Sequence, residues 1–483
     1  MKEILKRELL ASIYNSQFMA TLLVVFLAVL LSLVFGALQH VEMLERYNSA
    51  QRDIAETMKI QDNYSRSHFY FNRQVPALYY IAKGYNKFMP LTVQMPDRRY
   101  RHMPQFITTD VESNILFAIY GNLDFPTTFN LLMTLAAMLF GHAAICGEKE
   151  NGTLKMLLSS SYSRFQVAVA KYLGGLFPIL IAYALAVVSA SIVVEAIMNN
   201  AVTGQFYDFF VVMALGAGLI ITYYSISFSI SSIVYNSKLS ALLCILFWLL
   251  SVFLMPTIIS GMSNMASEKD NSLSLVRELS QVMKNIRIEQ VHSVAKKIDS
   301  LVDEEGLSYG RAVGRAWTEA DAEFSDKFSN RGRAILDRYA RQTDRKMSFA
   351  KSASFICPPM SFLNAVNEIC GAGYGYYTAF KGDVERYTDE IFAFLRKREK
   401  EDSVRRRLFI KQVTDESGNM RSEVVNENFD VELDLSDLPV FPIVSIDKTT
   451  VTEYVLIAVL SFVLWIVVSI TVVMVRLKNY DVR

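Results

Sequence analysis

Six long apolar runs constrain this chain more than any other feature. Each is long enough for an α-helix to cross the hydrocarbon core of a bilayer, which takes about 20 residues. The runs lie at residues 18–38, 127–146, 172–196, 209–234, 239–259 and 451–475. Because helices and closed barrels are the structures that can span a membrane, these runs predict a membrane all-α bundle of six transmembrane helices.

The first apolar run is expected to remain in the protein as an anchor. Its apolar core is longer than that of a secretory signal peptide, and no small-residue cleavage site follows it. Residues 1–17, just ahead of it, place apolar and basic side chains on different helical faces. This pattern predicts an amphipathic helix lying in the membrane interface.

The lysines and arginines of the short flanks predict the orientation. They occur before the first run, in residues 147–171, at Lys238 and in the tail 476–483, whereas residues 197–207 have none. Since short basic flanks stay in the cytoplasm, both termini are expected there. The two long hydrophilic inserts, residues 39–126 and 260–450, are then extracytoplasmic. The lack of a cleavable signal peptide together with an external domain suggests a bacterial inner membrane.

The inserts are predicted to be mainly helical. The first begins with a helix and then becomes irregular, with several prolines and glycines. In the second, the charged segments 271–303 and 305–349 predict two long antiparallel helices. A Pro/Gly-punctuated apolar segment is expected to pack back at their base, a further charged helix covers 383–407, and residues 408–447 predict a small β element.

Motifs for enzyme chemistry are absent from the sequence. It has no phosphate-binding loop and no nucleophile or zinc signature, and its five histidines lack metal-ligand spacing. The net charge of +1 gives no strong attraction to nucleic acid. These observations argue against an enzyme and against a resident metal.

The cysteines divide by environment. Cys146 and Cys244 lie in or beside apolar runs and are expected to be small apolar fillers. Cys357 and Cys370 both fall in the second insert, where an oxidising compartment permits a disulfide. Two free thiols are the equally open alternative, because sequence does not give the distance between the sulfurs.

A polar segment at residues 147–171, here called the island, separates the second and third apolar runs. It is too polar for hydrocarbon and too short to fold alone, so it is predicted to be a short helix at the membrane surface that another protein can grip. Glu148 and Glu150 do not suggest an acid–base pair, because helical residues two apart point to different faces. The candidate functional residues of the island are Glu148, Glu150, Gly152, Thr153, Leu154, Leu157, Leu158, Ser163, Arg164 and Lys171.

The island resembles the segment after the second span in ABC transporter permeases of the type-2 export family. In that family it forms the coupling helix, which docks in a groove of the cytoplasmic ATPase. The interfacial helix, six spans and short third external loop also match that layout. Residues 75–90 and 358–387 resemble a subfamily with large extracytoplasmic inserts, related to gliding-motility and nitrous-oxide-reductase maturation permeases.

The resemblance implies a permease subunit that couples ATP hydrolysis on a separate ATPase to export. The apolar stripe of the island would face the ATPase or the base of the spans, while Glu148, Glu150 and Arg164 would fix its orientation. ATP and Mg would bind to the partner ATPase, with no cofactor on this chain. A second permease, either another copy or a sister chain, would complete the complex, and a periplasmic partner protein is a further possibility.

Three other functions stay open at this point. The complex could be a mechanotransmission device that acts on an envelope partner through its external helices. It could be a membrane scaffold or receptor without energy coupling, in which case replacing Leu157 or Arg164 changes stability alone. A membrane enzyme is the remaining alternative, and convergent acids or a bound metal in the external domain would support it.

Overall fold

The structure, a computed structural model, describes most of the chain. The described residues are 16–59, 69–95, 105–107, 124–159, 163–198, 202–265, 272–402, 408–414, 420–426, 435, 437–445 and 447–480. The interfacial helix predicted for residues 1–17 therefore lies outside the described residues, except for Ser16 and Gln17. The last three residues of the predicted tail also lie outside them.

The first half of the chain carries most of the bundle. Its helices are α1 (Ser16–Lys59), α2 (Phe125–Gly141), α3 (Cys146–Glu150), α4 (Thr153–Leu158), α5 (Arg164–Met198), α6 (Phe206–Ile233), α7 (Ser237–Leu249) and α8 (Met255–Met265). A π-helix, Leu250–Leu254, joins α7 to α8, and 3-10 turns lie at Gly84–Phe88 and Thr203–Gln205. Between α1 and α2 are β1 (Tyr70–Asn72), β2 (Thr92–Gln94) and β3 (Gln105–Ile107).

The second half carries the large insert and the last span. Its helices are α9 (Ser272–Asp303), α10 (Tyr309–Ser354), α11 (Pro358–Ile369), α12 (Tyr374–Asp402) and α13 (Lys448–Lys478). Strands β4 (Leu408–Thr414) and β5 (Met420–Asn426) form an antiparallel pair, in which Leu408 lies opposite Asn426. This pair confirms the small β element predicted from the sequence.

Six helices of the described part are long and apolar enough to cross a membrane, which confirms the predicted helical bundle. The helix α6 lies at its centre and packs against α2, α5, α7 and α13. The end of the bundle that carries α3 and α4 is called the island end below, and the opposite end the far end. Segments of both inserts, including Leu78–Ala82 and α11, share the hydrophobic core of the spans at the far end.

The helix α1 is longer than the apolar run that predicts it. It continues without a break for 44 residues, through the start of the first insert. Residues 39–59 contain no proline or glycine, and Arg46 pairs with Glu42 one turn earlier at 2.8 Å. Hydropathy marks where a helix leaves hydrocarbon and does not mark where the helix ends.

Side-chain caps set the start of several spans. Asp124 accepts a hydrogen bond from the Thr127 backbone N–H at 3.3 Å, with Pro126 in the first turn of α2. Asn236 accepts from the Lys238 N–H at 2.8 Å to start α7. Asp447 accepts from the Thr449 N–H at 3.0 Å to start α13. These caps satisfy donors that the first turn of a helix leaves without a partner.

The π-helix has a local cause in the sequence. Pro256 follows it within the first turn of α8 and has no N–H, so the carbonyl four residues earlier, at Val252, loses its helical donor. Val252 lies inside the π-helix. The span formed by α7 and α8 is therefore interrupted near its middle.

The two inserts are joined to each other at the far end. The Tyr85 N–H donates to the Ala372 carbonyl at 2.7 Å, and the Asn86 side chain donates to the Gly371 carbonyl at 3.1 Å. A three-stranded antiparallel sheet, β1–β2–β3, lies beside this junction. The sequence does not predict these strands, because three residues are too few to display an alternating pattern.

The helices α9 and α10 form the long antiparallel hairpin that the sequence predicts. Ion pairs between the helices follow the antiparallel register, from Lys297–Glu319 near the turn to Arg338–Glu278 near the base. Buried side chains such as Ile286, Ala316 and Phe324 form a core that belongs to the hairpin itself. The hairpin is therefore a separately packed projection.

Candidate functional site

The island folds as two short helices separated by a sharp turn. Gly152 lies between α3 and α4 with a φ of 73°, in the left-handed region that side-chain-bearing residues rarely adopt. The Thr153 hydroxyl donates to the Glu148 carbonyl at 3.4 Å across this turn. The Gly-Thr pair therefore separates α3 from α4 and starts α4.

The apolar stripe of the island packs onto the ends of the spans. Leu154 and Leu158 are buried, and Leu157 is half-buried beside them. The same hydrophobic cluster includes Phe228 of α6 and Leu477 of α13. Of the two faces that the resemblance allowed for the stripe, the structure places Leu154 and Leu158 against the spans.

The opposite face of α4 is exposed and carries an apolar residue that the sequence analysis missed. Met156 has 76% of its surface exposed, and Lys155 beside it is also exposed. Since helical residues advance 100° each, Met156 lies roughly opposite both Leu154 and Leu158. The spacing of Met156 from Leu154 and Leu158 was therefore the sequence signal for this opposite face. Phe165 and Tyr235 are exposed as well.

The acidic residues of the island contact different helices. Glu148 forms an ion pair with Lys171 of α5, with 2.6 Å between Oε1 and Nζ, and the Lys171 side chain is 4% exposed. Glu150 accepts a hydrogen bond from the Ser237 N–H at the start of α7 at 3.1 Å. A carboxylate is stabilising at a helix N-terminus, so Glu150 adds to the cap of α7.

Lys149, which lies between these two acids, contacts the end of a third helix. Lys149 donates to the carbonyls of Val234, at 3.2 Å, and Ser232, at the C-terminal end of α6. Its ammonium also lies 4.9 Å from the centre of the Tyr235 ring. The Ser231 hydroxyl accepts from the N–H groups of Ile145 and Cys146, both at 3.0 Å. The start of α3 is thus held against α6.

Ser163 caps the start of α5, and Arg164 forms hydrogen bonds to the C-terminal end of α13. The Ser163 hydroxyl accepts from the Gln166 N–H, and the Gln166 side chain accepts from the Ser163 N–H, each at 3.2 Å, which is a capping box. Arg164 donates from Nη1 to the carbonyls of Leu477 at 2.7 Å and Lys478 at 2.6 Å. A cation here also complements the negative end of the α13 dipole.

The contacts together give the island one physical property. It is bound to α5, α6, α7 and α13 while the face of α4 that carries Lys155 and Met156 stays exposed. A force applied to the exposed face therefore reaches the ends of several spans at once. Every candidate residue between Glu148 and Lys171 lies in this single assembly.

The two insert cysteines, Cys357 and Cys370, are free thiols in the structure. Both are buried, and burial raises the pKa of the Cys357 thiol to about 11. The pKa of Cys370 is raised for the same reason. The Cys357 sulfur lies 3.4 Å from the Ser251 carbonyl in the π-helix. It therefore contacts a span rather than the other cysteine.

Comparison with known proteins gives one match. The family model described as ABC-2 family transporter protein matches residues 3–304. These residues include the island and five of the six candidate spans. No curated protein matches the chain.

Proposed function

Because the chain belongs to the ABC-2 family of transporter proteins, we propose that it is the permease subunit of an ABC exporter, driven by a separate ATPase. The observation that carries this proposal is the island, which is fastened to four spans and leaves the Met156 face of α4 exposed. ATP and Mg bind on the partner ATPase. A second permease, another copy or a sister chain, completes the complex.

In this proposal the island end is cytoplasmic and the far end is extracytoplasmic. The basic flanks support this orientation, since the island contains Lys149, Lys155, Arg164 and Lys171. Both termini are then cytoplasmic, in a bacterial inner membrane. The two joined inserts form one extracytoplasmic domain, as in the subfamily with large inserts.

The island acts as the coupling helix, and its residues have three different roles. Met156 and Lys155 form the knob that enters the ATPase groove, since they are exposed on the outer face of α4. Leu154 and Leu158 anchor that knob to the spans. Glu148, Glu150, Arg164 and Lys171 hold it in register through charged hydrogen bonds.

The Met156→Asp variant tests this proposal. The complex is purified through a tag on this chain, its ATPase is identified from peptides of the phosphate-binding loop, and hydrolysis is measured. A charge in an apolar groove is costly, so we expect Met156→Asp to lose the ATPase or its coupling. Met156→Leu and the equally exposed far-end change Val440→Asp should behave as the parent. Normal ATPase recovery and hydrolysis in Met156→Asp would reject the proposal.

Mechanotransmission is the second candidate, and the far end supports it. The hairpin of α9 and α10 projects from the bundle with its own core and a charged surface. In this version ATP hydrolysis moves the hairpin against an envelope partner and nothing passes through the spans. A scaffold without energy coupling is the remaining reading, and loss of ATPase activity in Met156→Asp would argue against it.

A further inference from the structure

The helix α13 contacts the island at one end and the base of the hairpin helix α10 at the other. We propose that α13 is a stiff link that carries movement of the island to the hairpin, with Arg164 and the Lys351–Glu453 pair as its two grips. The inference rests on the proposed function, because it takes the island to be the part that the ATPase moves.

The grip at the island end is made directly on α13. Arg164 holds two carbonyls in the last turn of α13, those of Leu477 and Lys478. Leu477 and Val473 are buried in the cluster that contains Leu154. Displacement of the island therefore acts on α13 through both hydrogen bonds and packing.

The helix between the grips is the least interrupted span. Of the six candidate spans in the part of the chain that the structure describes, α13 alone contains neither glycine nor proline. Its 31 residues correspond to about 46 Å at the usual rise of an α-helix. Glycine and proline are the common causes of bends in helices, so α13 is suited to move as one body.

The grip at the far end joins α13 to the last turns of α10. Lys351 forms an ion pair with Glu453, and its ammonium lies 4.5 Å from the centre of the Tyr454 ring. Farther along, the Trp465 indole N–H donates to the Ile356 carbonyl at 3.0 Å, just after α10 ends. These contacts hold the base of α10 at two places on α13, about three helical turns apart.

A second route through α7 and α8 is less direct. The helix α8 also packs against α10, and Cys357 contacts the Ser251 carbonyl. The π-helix interrupts this span, however, so a displacement of α7 can be absorbed there. The 46 residues of α10 extend for about 69 Å, so a small tilt at its base becomes a large movement at its tip.

Distance measurement between spin labels tests the link in the full complex with its ATPase in nanodiscs. One label is placed at Ser308→Cys, exposed at the hairpin turn, and the other at Arg52→Cys, exposed on α1. The labelled chain is diluted with unlabelled chain, so that distances within one chain dominate. The native cysteines are buried, which limits background labelling. We expect the distance distribution to change between the nucleotide-free and ATP-trapped states.

Charge changes at the far-end grip decide whether α13 causes that movement. Glu453→Lys should remove most of the ATP-dependent change, and the swap Lys351→Glu with Glu453→Lys should restore it. The matched control is Lys327→Glu, which breaks an exposed ion pair with Glu323 on α10, away from α13, and should leave the change intact.

Three results would overturn the link while leaving the proposed function standing. One is a hairpin that does not move in a complex whose hydrolysis depends on Met156. Another is full movement in Glu453→Lys. The third is a charge swap that fails to restore the movement lost in Glu453→Lys, since the ion pair would then not be what transmits it. Failure of the ATPase to bind would instead reject the proposed function.

Discussion

Glu148 and Glu150 show how much the environment of a residue decides its contribution. The first is turned into the bundle against Lys171, and the second faces the start of α7. A buried ion pair is costly to break, because removing one partner leaves the other charge without compensation. The exposed carboxylate at a helix start is replaceable by water.

Removing the Lys171 charge should therefore destabilise the protein far more than removing the Glu150 charge. We expect Lys171→Ala to lower the free energy of unfolding by about 3–5 kcal/mol, the range for breaking a buried pair. The double variant Glu148→Ala, Lys171→Ala should recover part of this loss. Thermal unfolding in detergent measures both, and equal melting temperatures for Lys171→Ala and Glu150→Gln would contradict the assignment.

Glu368 predicts a pH dependence of stability at the far end. It is buried, and burial raises the pKa of its carboxyl group, although it accepts a hydrogen bond from the Gly375 N–H at 2.9 Å and Lys351 is nearby. The folded protein thus binds this proton more tightly than the unfolded chain does. Its contribution to stability is present at low pH and is lost as pH rises from the usual carboxyl range through the raised pKa.

The variant Glu368→Gln removes that dependence. Its melting temperature should exceed that of the parent at pH 8, and the difference should shrink as the pH falls below the raised pKa. A difference between the two proteins that stays constant with pH would show that Glu368 titrates in the same range in both states.

At the scale of elements, close packing depends on single small residues. A Cβ on Gly36 of α1 would overlap the Tyr80 carbonyl oxygen of the first insert, whereas one on Gly261 of α8 meets nothing within 4 Å. Gly36→Ala should therefore cost about 1–3 kcal/mol through overpacking. Gly261→Ala should be neutral or stabilise by up to about 1 kcal/mol. Thermal unfolding compares the two, and similar effects would mean that α1 and the insert separate without cost.

The sequence predicts an element well where the pattern that identifies it lies within that element. The six spans and the hairpin follow from hydropathy and charge, since each pattern is local. The strands β1–β3 do not, because Thr92 pairs with Ile107 and the ladder is three residues long. The residues of the island identify it in the sequence. Which face of α4 is exposed, however, depends on where the spans lie, so the exposure of Met156 required the structure.

Across the whole molecule, the proposed orientation places the island end and the far end on opposite sides of the membrane. A membrane-impermeant maleimide applied to intact cells should label Ser308→Cys in the hairpin turn. It should label Ser159→Cys in the island only after the cells are permeabilised. Both positions are exposed on the protein surface. Labelling of the island in intact cells would reverse the proposed orientation.

The central claim is that the exposed face of α4 is the contact through which an ATPase drives this chain. The most direct test places a photo-crosslinking amino acid at Met156 in cells, with Val440 at the far end as the matched exposed position. We expect a covalent adduct with an ABC ATPase from Met156, and none from Val440. A complex that hydrolyses ATP yet gives no adduct at Met156, or equal adducts at both positions, would contradict it.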